Sequence, residues 1–295
     1  MNEFKTFHPI VNFIYFVFVI GFSCFVMHPV CLVISLSCAF VYSALINGKK
    51  ALKTNLLYMT PMILAMALIN PAFNHEGVTI LSYLPDDNPL TLESIFYGFA
   101  ASLMLASVIC WFYCYNAVMT SDKFIYLFGR IIPSLSLVLS MTLRFVPRFA
   151  AQLKVVANAQ RCIGRDVSEG SILQRAKSGL SILSVMVTWA LENSIETADS
   201  MKSRGYGLPG RTAFSIFNFD KRDAITLLCI SLLGIYTFIG SFMGEMYFRY
   251  FPSFRTANFS WYGLSVFLSY GTLCMCPIII EIKEVSKWKS LQSRI

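Results

Sequence analysis

Six long stretches of this chain have interiors without a single Asp, Glu, Lys or Arg: roughly 10–27, 29–46, 56–73, 93–119, 223–243 and 262–282. About 20 mostly apolar residues cross the hydrocarbon core of a bilayer as a helix, and a helix satisfies all its backbone hydrogen bonds without outside help. The composition agrees, with 56% hydrophobic and 14% charged residues, where a soluble domain has about a quarter charged. Pro29, Pro61 and Pro277 fall in these stretches, a placement that membrane helices tolerate. The expected fold class is therefore all-α, a polytopic membrane protein with about six transmembrane helices. The run beginning at Ile10 follows a single lysine, Lys5, and no small-residue cleavage site separates it from the next run. It is expected to be a retained helix rather than a removed signal.

The formal charge is +8, and its distribution orients the spans. With the N-terminus inside, Lys49, Lys50 and Lys53 follow the second span on the inner side, and the tail with Lys283, Lys287, Lys289 and Arg294 is also inner. The loop at 74–92 is outer and has no Lys or Arg, carrying Glu76, Asp86 and Asp87 instead. Only Arg249 and Arg255 are left outside, beside an aromatic segment at 246–262 that suits a membrane interface. The positive-inside rule is satisfied with both termini cytoplasmic. Most cations flank apolar spans, so the basic excess points to the bilayer or an acidic protein and not to nucleic acid.

The most strongly basic connection, 120–222, differs from the rest. Its uncharged stretches, 131–143 and 178–191, are too short to span without Arg144 or Glu192 entering the core. In the first half, Phe145, Phe149, Leu153 and Val156 keep helical spacing, with Lys154, Arg161 and Arg165 on another side. In the second, Leu180, Leu183, Val187, Leu191, Ala198 and Met201 form a stripe, and Glu192, Glu196 and Asp199 share the opposite face. Two long amphipathic cytoplasmic helices are expected, the first started or bent by Pro133 and Pro147, the second stopped by Gly205, Gly207, Pro209 and Gly210. The chain thus divides into N-terminal spans (1–130), a cytoplasmic helical segment (131–222) and C-terminal spans (223–295).

Several chemistries lack their residues. The sequence has no G-x-x-x-x-G-K-[ST], so ATP is not bound by that route, and it has neither H-E-x-x-H nor G-x-S-x-G. His8, His28 and His75 are scattered near span ends, and Asp86–Asp87 sits in a Pro-containing outer loop. Eight of the nine cysteines lie in apolar runs, where cysteine acts as a small hydrophobe. No catalytic residue, metal site or bound cofactor is expected. Pumps and ion-coupled carriers usually place an ionisable group at membrane depth, which these spans do not supply. A self-contained secondary transporter and an intramembrane enzyme using Glu192 and Glu196 remain the alternatives.

Both amphipathic helices end alike. The first runs Ala157-Asn158-Ala159-Gln160-Arg161-Cys162-Ile163-Gly164 and the second Ala198-Asp199-Ser200-Met201-Lys202-Ser203-Arg204-Gly205-Tyr206-Gly207. An arginine near a helix C-terminus complements the dipole, and a following glycine caps it. The two ends, in order after Leu143-Arg144-Phe145-Val146-Pro147 and with Arg211-Thr212 beyond, resemble the paired Ala-Arg-Gly-type motifs of the transmembrane (T) components of energy-coupling factor transporters, the family that includes CbiQ. The resemblance covers most of the chain, with one departure: Cys162 stands where glycine is usual, and a glycine follows as Gly164.

The resemblance implies a non-catalytic permease subunit of an ABC importer in a bacterial or archaeal plasma membrane. Its coupling helices would dock on two ABC-type ATPase subunits, which bind the ATP. They would pass the movement to a separate substrate-binding S component for a vitamin or a transition-metal ion. It further implies ATPase docking through Arg161, Gly164, Ser203, Arg204 and Gly205, and packing of the coupling helices, against each other or the S component, through Leu183, Val187, Leu191 and Ala198.

Overall fold

A computed structural model describes residues 3–83, 89–129, 133–168, 170–206, 208, 217–258 and 260–292. Asp86, Asp87, Gly207, Pro209, Gly210, Arg211, Thr212 and Arg294, all named above, lie outside the described residues. The chain forms two compact units, Met1–Lys123 with Phe217–Ile295, and Phe124–Ile216.

The first unit is a helical bundle. Helices α1 (Pro9–Phe25) and α2 (Pro29–Phe73) begin in the same way, with a His-Pro pair. Proline at the first helical position has no N–H to leave unpaired. The preceding histidine is the cap: His8 Nδ1 accepts from the Ile10 amide and His28 Nδ1 from the Val30 amide, each at 3.3 Å. Accepting requires that nitrogen to be unprotonated, and burial pushes both imidazoles below their ordinary pKa. Helix α2 breaks at Gly48, whose φ of 63° belongs to the left-handed region. Its limbs, Pro29–Gly48 and Asn55–Phe73, match the second and third apolar stretches.

Helix α3 (Leu92–Val118), α7 (Lys221–Phe242) and α8 (Trp261–Gln292) supply the remaining long apolar helices. Among the described residues, five helical segments are long and apolar enough to cross a membrane, whereas α1 has 17 residues and spans about 25 Å. Helix α1 is nonetheless central: it packs on α2, α3 and α7, and Val11, Tyr15, Phe16 and Val19 are fully buried. Among the described residues, two short antiparallel pairs interrupt the helical architecture: β1 (Ile80–Tyr83) with β2 (Pro89–Thr91), and β3 (Phe248–Arg249) with β4 (Arg255–Thr256). The aromatic segment near 246–262 thus contains a hairpin, with Phe248, Tyr250 and Phe254 in mutual ring contact.

Several polar groups inside the bundle pair with one another, as hydrocarbon surroundings favour. The Trp111 indole donates to Ser35 Oγ at 2.9 Å, Ser35 meets Ser23 at 2.7 Å, and Asn55 donates to Ser43 at 2.7 Å. One end is plugged by a 3-10 turn, Phe4–Thr6. Phe4 is fully buried against Tyr15, Phe16 and Tyr42, and its amide donates to Glu281 Oε1 at 3.2 Å. Lys123, near the start of α4 (Ser121–Gly129), donates to the carbonyls of Lys5 at 2.6 Å and Phe7 at 3.3 Å. With its carboxamide turned so that oxygen faces the ammonium, Asn12 accepts from Lys123 at 2.6 Å and donates to the Phe4 carbonyl at 3.0 Å.

The second unit is built on α5 (Pro133–Cys162) and α6 (Ile172–Ser203). Pro133 opens α5 and Pro147 is carried within it, so the helix continues past its second proline. A capping box starts α6: the Gln174 amide donates to Ser171 Oγ at 3.4 Å, and the Ser171 amide to Gln174 Oε1 at 3.2 Å.

Candidate functional site

Helices α5 and α6 run antiparallel and touch through a small buried cluster of Val156, Ile182 and Met186, with Phe149, Ala157 and Trp189 around it. Trp189 is the hub: Phe149 meets its ring edge-on at 5.3 Å, and the Arg148 guanidinium lies 5.8 Å from its centroid. Toward the end of α6 the helices leave a cleft of about 580 Å³ lined by Arg144, Arg148, Asn193, Glu196, Arg204 and Tyr206, among others. Glu192, Glu196 and Asp199 are exposed.

The expected packing stripe on α6 is not the face that meets α5. Leu183, Val187 and Leu191 are 57%, 51% and 62% exposed, and Ala198 is exposed too. The contact runs instead through Ile182, Met186, Trp189 and Asn193, on another side of the helix. The physical reason is that both faces of α6 carry apolar side chains, Ile182 and Met186 on one and Leu183 and Val187 on the other, so hydrophobicity alone does not choose between them. Shape and polar pairing do, and Trp189 offers both. On α5, Val156 is buried and Phe149 packs beside it, while Leu153 stays 48% exposed.

The two helix ends share one backbone construction. At the end of α5 the Gly164 amide donates to the Arg161 carbonyl at 3.0 Å and the Arg165 amide to the Gln160 carbonyl at 2.9 Å. At the end of α6 the Gly205 amide donates to the Lys202 carbonyl at 2.9 Å and the Tyr206 amide to the Met201 carbonyl at 3.0 Å. These paired bonds define the Schellman cap, which needs a left-handed residue at its glycine. Gly164 has φ 77° and Gly205 φ 73°. The departure noted at Cys162 is thereby resolved: Cys162 is the last residue of α5, and the capping glycine is Gly164.

Arg161, Gly164, Ser203 and Arg204 are exposed, and Gly205 is partly so. Arg161 is 68% exposed and reaches Asp166 at 3.0 Å. The Ser168 amide and hydroxyl, with the Arg161 charge adding to them, hold the Asp166 carboxyl below its usual range. Arg204 lies at the mouth of the cleft that also borders Arg144. Because Arg204 shares that cleft with the first half of α5, the two ends are separated by roughly 25 Å along the α5 axis. The structure therefore places the expected docking residues at opposite ends of one antiparallel pair, both accessible.

The buried ionisable groups of the first unit escaped the sequence reading. His8, Glu93, Lys123, Asp223 and Glu281 are nearly inaccessible and sit at the edges of the apolar stretches. Thr79 donates to Glu93 through its hydroxyl at 2.5 Å, and the Asp220 amide to Asp223 at 3.3 Å. Sequence carries one usable signal for Asp223, its place three residues after Asp220 at the start of a helix.

The family described as cobalt transport protein, CbiQ, matches residues 5–214. Among curated relatives, the energy-coupling factor transporter transmembrane protein EcfT of Lactobacillus helveticus is 38% identical over 103 residues, 35% of this chain and 37% of that protein. The EcfT proteins of Streptococcus equi (31% over 105 residues, 35% and 39%) and Lactococcus lactis (33% over 102 residues, 34% and 38%) are similar. In each case the aligned stretch spans well under half the relative's length. The matched family includes the two capped helix ends and the spans before them, and the chain belongs to the EcfT/CbiQ family of energy-coupling factor transporter transmembrane components.

Proposed function

We propose that this chain is the T subunit of an energy-coupling factor importer, docking two ABC-type ATPase subunits and an S component in a bacterial or archaeal plasma membrane with both termini cytoplasmic. The observation that carries the reading is the pair of identically capped, exposed helix ends held apart by one rigid antiparallel pair. Two such ends suit a two-subunit motor. Arg204 meets an acidic surface on an ATPase, where an unpaired buried charge typically costs about 2–5 kcal/mol. Ser203 and the glycine caps let the partner approach the backbone closely. The exposed stripe of Leu183, Val187, Leu191 and Ala198 faces the S component, which carries the vitamin or transition-metal ion. ATP is bound by the ATPases, and this chain conducts their closure without reacting chemistry of its own. The buried ionisable groups named above lie at span edges, where Glu93 and Lys123 pair with nearby hydroxyl and backbone groups, which fits a coupling role better than a proton relay.

The test is purification of the tagged full chain from membranes of its own host, with the ABC-type ATPase subunits quantified by their Walker A peptides. They are expected to accompany the unaltered chain and to be lost from the Arg161→Glu/Arg204→Glu double variant, which should insert normally. Equal ATPase recovery with the double variant refutes the docking role.

A further inference from the structure

Aligned on the cap hydrogen bonds, the two ends are not chemically equivalent. Gly164 corresponds to Gly205, so the residue before each glycine is Ile163 in one end and Arg204 in the other. In the same register Arg161 corresponds to Lys202, Cys162 to Ser203 and Arg165 to Tyr206. Arg161 is therefore the counterpart of Lys202 and not of Arg204.

Exposure makes the difference accessible: Ile163 is 65% exposed, an aliphatic side chain standing out from a helix end. Arg161, two residues back, reaches Asp166 at 3.0 Å. A groove that receives the Arg204 position of the second end needs acceptors or a carboxylate. The same position in the first end presents no donor and gains only by leaving water.

Resting on the proposed function, we infer that the first end docks through Ile163 in an apolar pocket of an ABC-type ATPase, whereas the second docks through Arg204 in an acidic one. The two ends then cannot exchange places on the partner pair. Charge at the first end belongs to its rim, where it alters affinity little.

The experiment compares single variants of the tagged full chain in its native host: Ile163→Glu, Ile163→Leu, Arg161→Glu and Arg204→Glu. Recovery of ABC-type ATPase per tagged chain is expected to fall about tenfold for Ile163→Glu and for Arg204→Glu. It should stay within about twofold of the unaltered chain for Arg161→Glu and for the size-conserving Ile163→Leu. Loss with Arg161→Glu together with normal recovery for Ile163→Glu overturns the inference and leaves two cationic ends. Recovery of no ABC-type ATPase with the unaltered chain overturns the proposed function instead.

Discussion

Replacing each capping glycine by alanine should weaken the two ends unequally, and the structure states the order. Both glycines occupy the left-handed region, at φ 77° and 73°, where a Cβ costs about 1–2 kcal/mol. At Gly164 an added Cβ meets nothing within 4 Å, so the backbone cost stands alone. At Gly205 it meets Leu208 Cδ1 at 3.1 Å, tighter than ordinary contact, and a flexible side chain must shift by a few tenths of an ångström. Gly164→Ala should therefore open its cap about five- to thirty-fold more often, and Gly205→Ala somewhat more than that. Hydrogen exchange of the Arg165 and Tyr206 amides reads this directly, since those amides close the two Schellman pairs. An asparagine at either position, which tolerates the left-handed region, should recover part of the loss. Unchanged protection in both alanine variants, or a larger effect at Gly164 than at Gly205, refutes the reasoning.

Three other outcomes are expected. Burial, assisted by the nearby Lys5 charge and opposed by Asp223, pushes the Lys123 pKa from 10.5 down to about 8. The unfolded chain then holds more protons than the folded one between those values, so stability rises with pH across that window, by roughly 3 kcal/mol in total. Melting temperatures in detergent should show the unaltered protein gaining on Lys123→Met from pH 8 to 10, and a gap that narrows would contradict the assignment. Ser171→Ala removes one half of the capping box and should cost about 1 kcal/mol, seen as faster exchange in the first turn of α6 with the rest of the helix protected. A Cβ at Gly240 would collide with both methyl groups of Val266, so Gly240→Ala should destabilise by about 1–3 kcal/mol. Its melting temperature should fall well below that of Gly21→Ala, whose added Cβ meets nothing within 4 Å.

The apolar runs were readable because lipid demands length, and length survives without tertiary information. Gly205 was readable as a stop for a related reason, since few residues can occupy a left-handed cap. What escaped was any choice between faces. Leu183, Val187 and Leu191 are as apolar as Ile182 and Met186, yet the latter face α5, because the ring contacts of Trp189 fall on their side of the helix. The equivalence of the two ends escaped for another reason. Matching arginine to arginine aligns Arg161 with Arg204, whereas matching the two capping glycines, as the cap bonds do, aligns Ile163 with Arg204. The plug was also hidden: Phe4 precedes the first apolar run, and nothing in the sequence says that a short turn folds back to meet Tyr42 and Glu281.

The small cluster joining α5 to α6 also sets a gearing. It lies near Val156 and Met186, so Ile163 stands about 10 Å from it along one helix and Arg204 about 27 Å along the other. A rigid tilt of about 10° at that fulcrum would shift Ile163 by about 2 Å and Arg204 by about 5 Å. The isoleucine end is thus the short arm and the arginine end the long one, and a motor pulling equally on both would obtain most of its stroke from the arginine.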